Sequence, residues 1–434
     1  MKNYKAKMQA HPQYAKVLHW GKLISITGLA QVLVQAVGFI SGILVIRLLP
    51  VEEYALYTLA NTMLGTMTVL ADGGISSGVM AQGGKVWQDK EKLGAVLATG
   101  LDLRKKFAIV SLLVSIPILL YLLLDHGASW LTATLIVISL IPAFFAALSD
   151  SLLQIVPKLH QNIGPLQRNQ VEVGVGRLAL TGLTIFIFPF TFVALLASGL
   201  PRIYGNIQLK KITAPFVISA TKPDPVIRKE ILAIVKRILP SAIYYCLSGQ
   251  ITIWLISIFG DTAAIAQLGA LGRFLMLFVL LGVLIDTLFV PRFARMPNNK
   301  KKIINSFLKI NLFLFFICIV FGLIFIVLKD QLLWILGPDY ANLSKEFVLM
   351  MISGCMAFTS SAINKILSSR GIVIPALLFI ISAIGVQLIT AFFVPLGEVY
   401  GVILFSLYTT LVIYLIRIIY FFNYIKNVQF DKES

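Results

Sequence analysis

The sequence predicts an all-α integral membrane protein: about twelve transmembrane helices in two pseudo-symmetric six-helix bundles, with both termini cytoplasmic. Three observations predict it. The first is composition. Of 434 residues, 58% are hydrophobic and 13% charged, against roughly 45–50% and about 25% in a soluble domain. A soluble core cannot hide that much apolar surface; a bilayer can, at roughly 20 residues per crossing. The second is the one-sided placement of basic residues. The third is an internal repeat at about half the chain length.

Apolar runs, flanking charges and turn residues place the spans at about 23–46, 54–80, 107–124, 130–155, 171–188, 190–208, 234–259, 264–290, 306–328, 343–366, 372–394 and 400–423. The first run follows Lys2, Lys5, Lys7, Lys16 and Lys22. It is too long for a signal-peptide core of about 7–15 residues, so it reads as an uncleaved helix. The fifth and sixth spans meet at Phe188-Pro189-Phe190, a tight turn. The expected organisation is a cytoplasmic segment 1–22, a six-helix bundle 23–208, a cytoplasmic linker 209–230, a second bundle 231–424 and a cytoplasmic tail 425–434. Pro215, Pro223 and Pro225 mark the linker.

The net charge of +18 is mainly a topology signal. Of the 37 Lys and Arg residues, all but Arg47, Lys329, Lys345 and Arg273 fall at the termini or in the loops and helix ends on one side. By the positive-inside rule that side is cytoplasmic. A nucleic-acid partner is therefore not expected. The outer loops are short, so any chemistry happens in or against the bilayer. Cys246, Cys318 and Cys355 lie far apart in apolar runs. They read as small buried apolar residues, not as a zinc site or a disulfide framework.

The repeat aligns Lys22 with Lys236, Asp72 with Asp286, and Asp150 with Asn364. Six helices per half make the repeat parallel, with a pseudo-two-fold axis along the membrane normal and substrate between the halves.

Polar stripes report the interior, because lipid tolerates a polar side chain that faces other helices or water. Thr27, Gln31 and Gln35 recur on the first span. Asn61, Gly65, Thr68 and Asp72 recur on the second, and Arg237, Ser241, Tyr245, Ser248 and Thr252 on the seventh. Such faces build either a hydrated cavity or interhelical hydrogen bonds that glue the bundle. Arg273 lies roughly 13 Å into the eighth span at 1.5 Å per residue. Placing Arg at mid-bilayer costs about 2.5–3.5 kcal/mol. An acidic partner, an anionic substrate or cavity water offsets it, unless the side chain snorkels to the outer surface. The candidate cavity residues are therefore Arg273, Arg237, Gln31, Gln35, Asn61, Tyr245 and Ser248. Lys22, Lys236, Arg177 and Arg202 are candidates for a cationic inner mouth that admits an anionic headgroup. Asp72 and Asp286 are candidates for proton or sodium coupling, or else inner-interface acids neutralised by nearby bases.

No P-loop and no HExxH occurs, and the four histidines are scattered outside helix centres. No enzyme activity, catalytic residue, metal or cofactor is expected.

The stretch Arg47-Leu-Leu-Pro-Val-Glu-Glu-Tyr-Ala-Leu-Tyr, then a polar-striped helix ending Leu-Ala-Asp-Gly-Gly-Ile-Ser-Ser, resembles the N-terminal signature of Wzx-type polysaccharide (O-antigen) flippases. These belong to the superfamily that also holds the MATE exporters and the lipid II flippases. That family often shows Gly where this chain has Ala55, and Leu where it has Gly73. In the second half, Gly260-Asp-Thr-Ala-Ala-Ile-Ala-Gln-Leu-Gly-Ala-Leu resembles the matching turn. The resemblance implies a flippase in the bacterial cytoplasmic (inner) membrane. Its cargo would be an undecaprenyl-diphosphate-linked oligosaccharide, moved by alternating access to the outer leaflet for surface polysaccharide assembly. The expected partners are that lipid-linked sugar, the bilayer, and a polymerase or chain-length machinery. The alternatives are a MATE-like cation-coupled exporter, which would want acids deep in the bundle, and a membrane enzyme of polysaccharide assembly.

Overall fold

The computed structural model describes residues 30, 32–218, 222–285, 289, 290, 293, 296, 299–370, 372 and 374–427. The side chains of residues 237, 241, 242, 245, 280, 283 and 284 also lie outside the description. Among the described residues the regular structure is helical, without a strand.

Among the described residues, eight helices are long and apolar enough to cross a membrane. The chain is a multi-pass membrane protein. Its broad apolar exposure follows: Phe315, Phe316, Phe392 and Phe393 are 61–88% exposed, which water would penalise and lipid does not. The expected spans 23–46, 54–80, 190–208 and 234–259 are not among those eight.

By internal packing the chain divides into two compact units. One takes the described residues up to Leu49 and Ala60–Cys246; the other takes Pro50–Leu59 and the described residues from Leu247 on.

In the first unit, α1 is Val32–Leu48. Then come α2 (Val51–Asp72, whose first residues belong to the second unit), α3 (Ile75–Val86), α4 (Lys90–Asp125), α5 (Trp130–Leu153), the short α6 (Ile155–Leu159), α7 (Ile163–Ile187) and α8 (Thr191–Thr213). The helix α9 (Pro225–Phe259) carries the unit boundary. Within the expected linker 209–230 the described residues include the end of α8, a 3-10 turn (Ala214–Phe216) and the start of α9.

The span expected over 54–80 is not one helix. It breaks at Gly73 and Gly74, whose φ values are +49° and +96°. Only glycine visits that region at little cost. Both sides of the break are helical and partly apolar, so hydropathy alone runs through it.

Local caps fix several other starts. Asp89 accepts from the amides of Glu91 and Lys92 at the head of α4. Ser129 accepts from Thr132 N at the head of α5. Each satisfies an otherwise orphaned donor.

The core of this unit gathers Ile75 and Val79 of α3, Leu93, Val96 and Leu97 of α4, Leu152 of α5, and Ile231 and Val235 of α9. The helices α5 and α8 pack side by side and run parallel. Gly199 meets Ala143, Asn206 reaches Ala146 and Asp150, and Thr213 Oγ1 donates to Leu153 O at 3.1 Å.

In the second unit, α10 (Thr262–Gly272) is followed by a 3-10 turn (Arg273–Leu275) and α11 (Met276–Leu284). Next come α12 (Lys300–Leu336), α13 (Ser344–Ser368), α14 (Ala376–Phe393) and α15 (Val399–Asn427). The central element is α13, which packs on both α12 and α15. Phe278, Phe325 and Phe347 share an aromatic cluster there. Phe307 of α12 stacks on Phe421 of α15 at 3.9 Å between ring centres.

Candidate functional site

Arg273 is a cation inside an apolar element, and its environment is built from the start of α2. The Arg273 Nε donates to the Tyr54 hydroxyl at 3.5 Å. Its guanidinium carbon lies 6.0 Å from the centre of the Tyr57 ring, at the outer limit of a cation–π contact. Tyr54 and Tyr57 are three residues apart on one helix face and stack at 6.1 Å. Tyr340, in the 3-10 turn Pro338–Tyr340 outside the spans, is 2% exposed. Burial pushes its phenol above the usual tyrosine range, and Tyr54 and Asp339 beside it add to the shift. Among the described residues no ion pair joins Arg273 to a carboxylate. The groups that meet it are tyrosines, which stabilise a guanidinium through oxygen lone pairs and ring faces without neutralising it.

Asp72 closes α2 in the first unit. Its carboxylate forms an ion pair with Arg104 of α4, and Oδ1 also accepts from Ser76 N at 3.0 Å. Arg104 is 3% exposed. Its Nη1 donates to Leu148 O at 2.6 Å and to Ser151 Oγ, and its Nη2 to Ser76 Oγ at 2.9 Å. One buried guanidinium thus ties α2, α3, α4 and α5 together. Asp72 thus already holds a counter-charge and a backbone donor on Oδ1.

Gln35 and Asn61 are half-buried on α1 and α2. Ser248 accepts from Gln387 Nε2 at 3.3 Å within the second unit, an interhelical bond. Lys236 is exposed, and Arg177 and Arg202 are half-buried on α7 and α8. Gln31, Lys22 and Asp286, and the side chains of Arg237 and Tyr245, lie outside the described residues.

Two polar centres escaped the sequence reading. In the first unit, Asn206 Nδ2 donates to Asp150 Oδ1 at 2.7 Å and also to Ser149 Oγ. In the second, Arg417 is 7% exposed. Its Nη1 donates to Ser360 O and Ser360 Oγ at 2.8 and 2.5 Å, and its guanidinium lies over the Phe379 ring at 5.4 Å. Arg104 sits in a basic stretch that reads as a topology anchor, whereas Arg417 lies inside the span expected over 400–423. Among the described residues no cluster of metal-ligating side chains occurs.

No protein-family model matches this chain, and no curated protein matches it by sequence. Solved structures do. An inward-facing multidrug resistance MATE family transporter of the MOP superfamily aligns with a TM-score of 0.70 at 15% identity, covering 91% of this chain and 96% of that one. An outward-facing structure of that description aligns at 0.63 and 15% identity, covering 93% and 96%. A eukaryotic MATE transporter aligns at 0.60 and 17% identity, covering 92% and 96%. Over nearly its whole length, this chain has the fold of the MATE transporters.

Proposed function

We propose that this chain is a membrane transporter that works by alternating access, with twelve spans, both termini cytoplasmic, in a bacterial cytoplasmic membrane. One observation carries this reading: the chain aligns over more than nine-tenths of its length with both inward-facing and outward-facing structures of one transporter fold. No catalytic step is part of the proposal.

For cargo, the structural neighbours are described as multidrug resistance transporters, which supports a MATE-like exporter of small molecules driven by an ion gradient. The flippase for an undecaprenyl-diphosphate-linked oligosaccharide is the second reading. A specific observation favours it: Arg273 is a cation in an apolar element that meets tyrosines, while Asp72 is already engaged by Arg104. That balance suits an anionic cargo better than a cationic one. In this reading a polymerase outside consumes the product.

The test is a gene deletion read out twice. An exporter leaves the deletion strain sensitised to toxic small molecules, with its polyprenyl-linked lipids unchanged. A flippase leaves a lipid-linked oligosaccharide accumulated, by mass spectrometry, while surface glycan disappears. A strain with neither phenotype overturns both cargo readings.

A further inference from the structure

We propose that the first unit binds an anionic glycerophospholipid of the bilayer in a cavity between α4, α5 and α8. The cavity measures about 440 Å³, within the roughly 300–1,000 Å³ of small-molecule sites. Its lining is graded along the helix axes. On α8 it runs from Ile203 through Ile207 to Lys210, and on the parallel α5 from Pro142 through Phe145 to Ser149. On α4, which runs antiparallel to α5, it includes Leu101, Arg104 and Lys105. One end is therefore apolar, and both lysines lie toward the other.

The two lysines carry the charge argument. Arg104 also lines the cavity, but its guanidinium is committed to Asp72, Ser76 and α5. Lys105 and Lys210 are exposed, come from different helices, and join no ion pair among the described residues. No carboxylate lines the cavity. The nearby Asp150 is held by Asn206.

The apolar end selects the occupant. Phe145 and Ile207 are 42% and 50% exposed, so this end opens on the surface of a membrane-spanning unit, where hydrocarbon chains are the solvent. A free anion has nothing to place against that wall. A zwitterionic lipid brings a cation against two lysines. A glycerophospholipid with a net negative headgroup fits both ends: phosphate between Lys105 and Lys210, acyl chain along Phe145, Ile203 and Ile207. Basic pockets between helices near the cytoplasmic face recognise anionic headgroups by this chemistry. The inference is independent of which cargo is transported.

The test uses the purified full-length protein in detergent, titrated with phosphatidylglycerol, phosphatidylcholine and glycerol 3-phosphate. Binding is followed by native mass spectrometry and thermal unfolding. Phosphatidylglycerol is expected to bind and raise the unfolding temperature; the other two are not. The double variant Lys105→Gln/Lys210→Gln should weaken phosphatidylglycerol binding about thirtyfold. Lys106→Gln removes a neighbouring lysine that pairs with Asp102 at 2.7 Å and should change nothing. Should the double variant fail to fold, Lys105→Arg/Lys210→Arg keeps the charge and should keep binding. Ile207→Trp, which narrows the apolar end, should weaken it with both lysines present. Equal binding of phosphatidylcholine, full competition by glycerol 3-phosphate, or undiminished binding by the glutamine variant overturns the proposal.

Discussion

Asp72 at the end of α2 and Arg104 in the middle of α4 form an ion pair in which the arginine is 3% exposed and the aspartate side chain is 32% exposed. The asymmetry sets the energetics. Arg104 has left water and needs every acceptor it has found, whereas Asp72 keeps some solvent. Removing Asp72 leaves a buried cation short of its counter-charge. Removing Arg104 leaves a half-solvated carboxylate that water can still reach, but strips Leu148 O and Ser151 Oγ of their donor. Breaking a buried pair from one side costs roughly 3–5 kcal/mol. The expected outcome is that Asp72→Asn and Arg104→Gln each destabilise the purified protein. The double variant should be less destabilised than the sum of the two. A double-mutant cycle on unfolding midpoints measures the coupling, and additive effects would show that the pair contributes nothing.

Arg273 and Tyr54 make a weaker contact, with Nε and the hydroxyl 3.5 Å apart. At that length the hydrogen bond is marginal, so Tyr54→Phe is expected to leave stability within about 1 kcal/mol. Arg273→Gln tests something else. If the guanidinium meets an anionic cargo, losing one charged hydrogen bond of about 1.5–3 kcal/mol lowers transport roughly 10- to 150-fold. Complementation of the deletion strain reads this directly. Failure to restore surface glycan at normal protein level supports the anionic cargo; full complementation makes Arg273 structural.

The break after α2 gives a sharper stability test. Gly74 holds φ at +96°, and a Cβ there would stand 2.9 Å from Ile238 Cβ. Gly74→Ala therefore meets backbone strain and a steric clash together. The left-handed backbone alone costs roughly 1–2 kcal/mol for an L-residue. A clear fall in the unfolding temperature is expected. At Gly127, which also has positive φ but nothing within reach of a Cβ, alanine should cost less. Comparing the two by thermal unfolding separates clash from strain.

Much of the helix order was legible in the sequence because the bilayer enforces long apolar runs between charged ends. The ranges expected at 130–155, 343–366 and 400–423 lie close to α5, α13 and α15. What escaped was direction. Arg104, Lys105 and Lys106 are consecutive, and at about 100° per residue they point to three different sides of α4. Charge alone cannot say which one turns inward. Periodicity could have: Leu97, Gly100, Arg104, Ala108, Ser111, Ser115 and Leu119 form one buried stripe with the spacing of a helix face. An arginine on such a stripe needs acceptors, and Asp72 is one. The Gly73–Gly74 break was legible as a dipeptide but was overridden by apolar residues on both sides. Arg417 lies among apolar residues inside the expected span 400–423, and its acceptor Ser360 comes from α13, 57 positions away. The site itself was less legible, because tyrosines around Arg273 come from residues more than two hundred positions away.

The head of α4 offers a pH test outside the membrane. Asp89 Oδ1 accepts from the amides of Glu91 and Lys92, both at 3.1 Å. The backbone hydrogen bond from Lys92 is the main cause that holds the Asp89 carboxyl below its usual range; desolvation opposes it, and the Glu91 amide and the Lys92 side chain assist it. A carboxylate whose folded pKa is depressed stabilises the fold above its unfolded pKa, near about 3.9. That contribution is lost as pH falls through the lower folded value. The first turn of α4 should therefore stay protected through neutral pH and loosen only in strong acid. Asp89→Asn keeps an acceptor oxygen without a titrating group, so it should retain the cap and lose this pH dependence. Asp89→Ala should fray the turn at every pH. Hydrogen exchange at the Glu91 and Lys92 amides measures both effects. Equal protection in the wild type and the alanine variant would show that the cap does not hold the helix start.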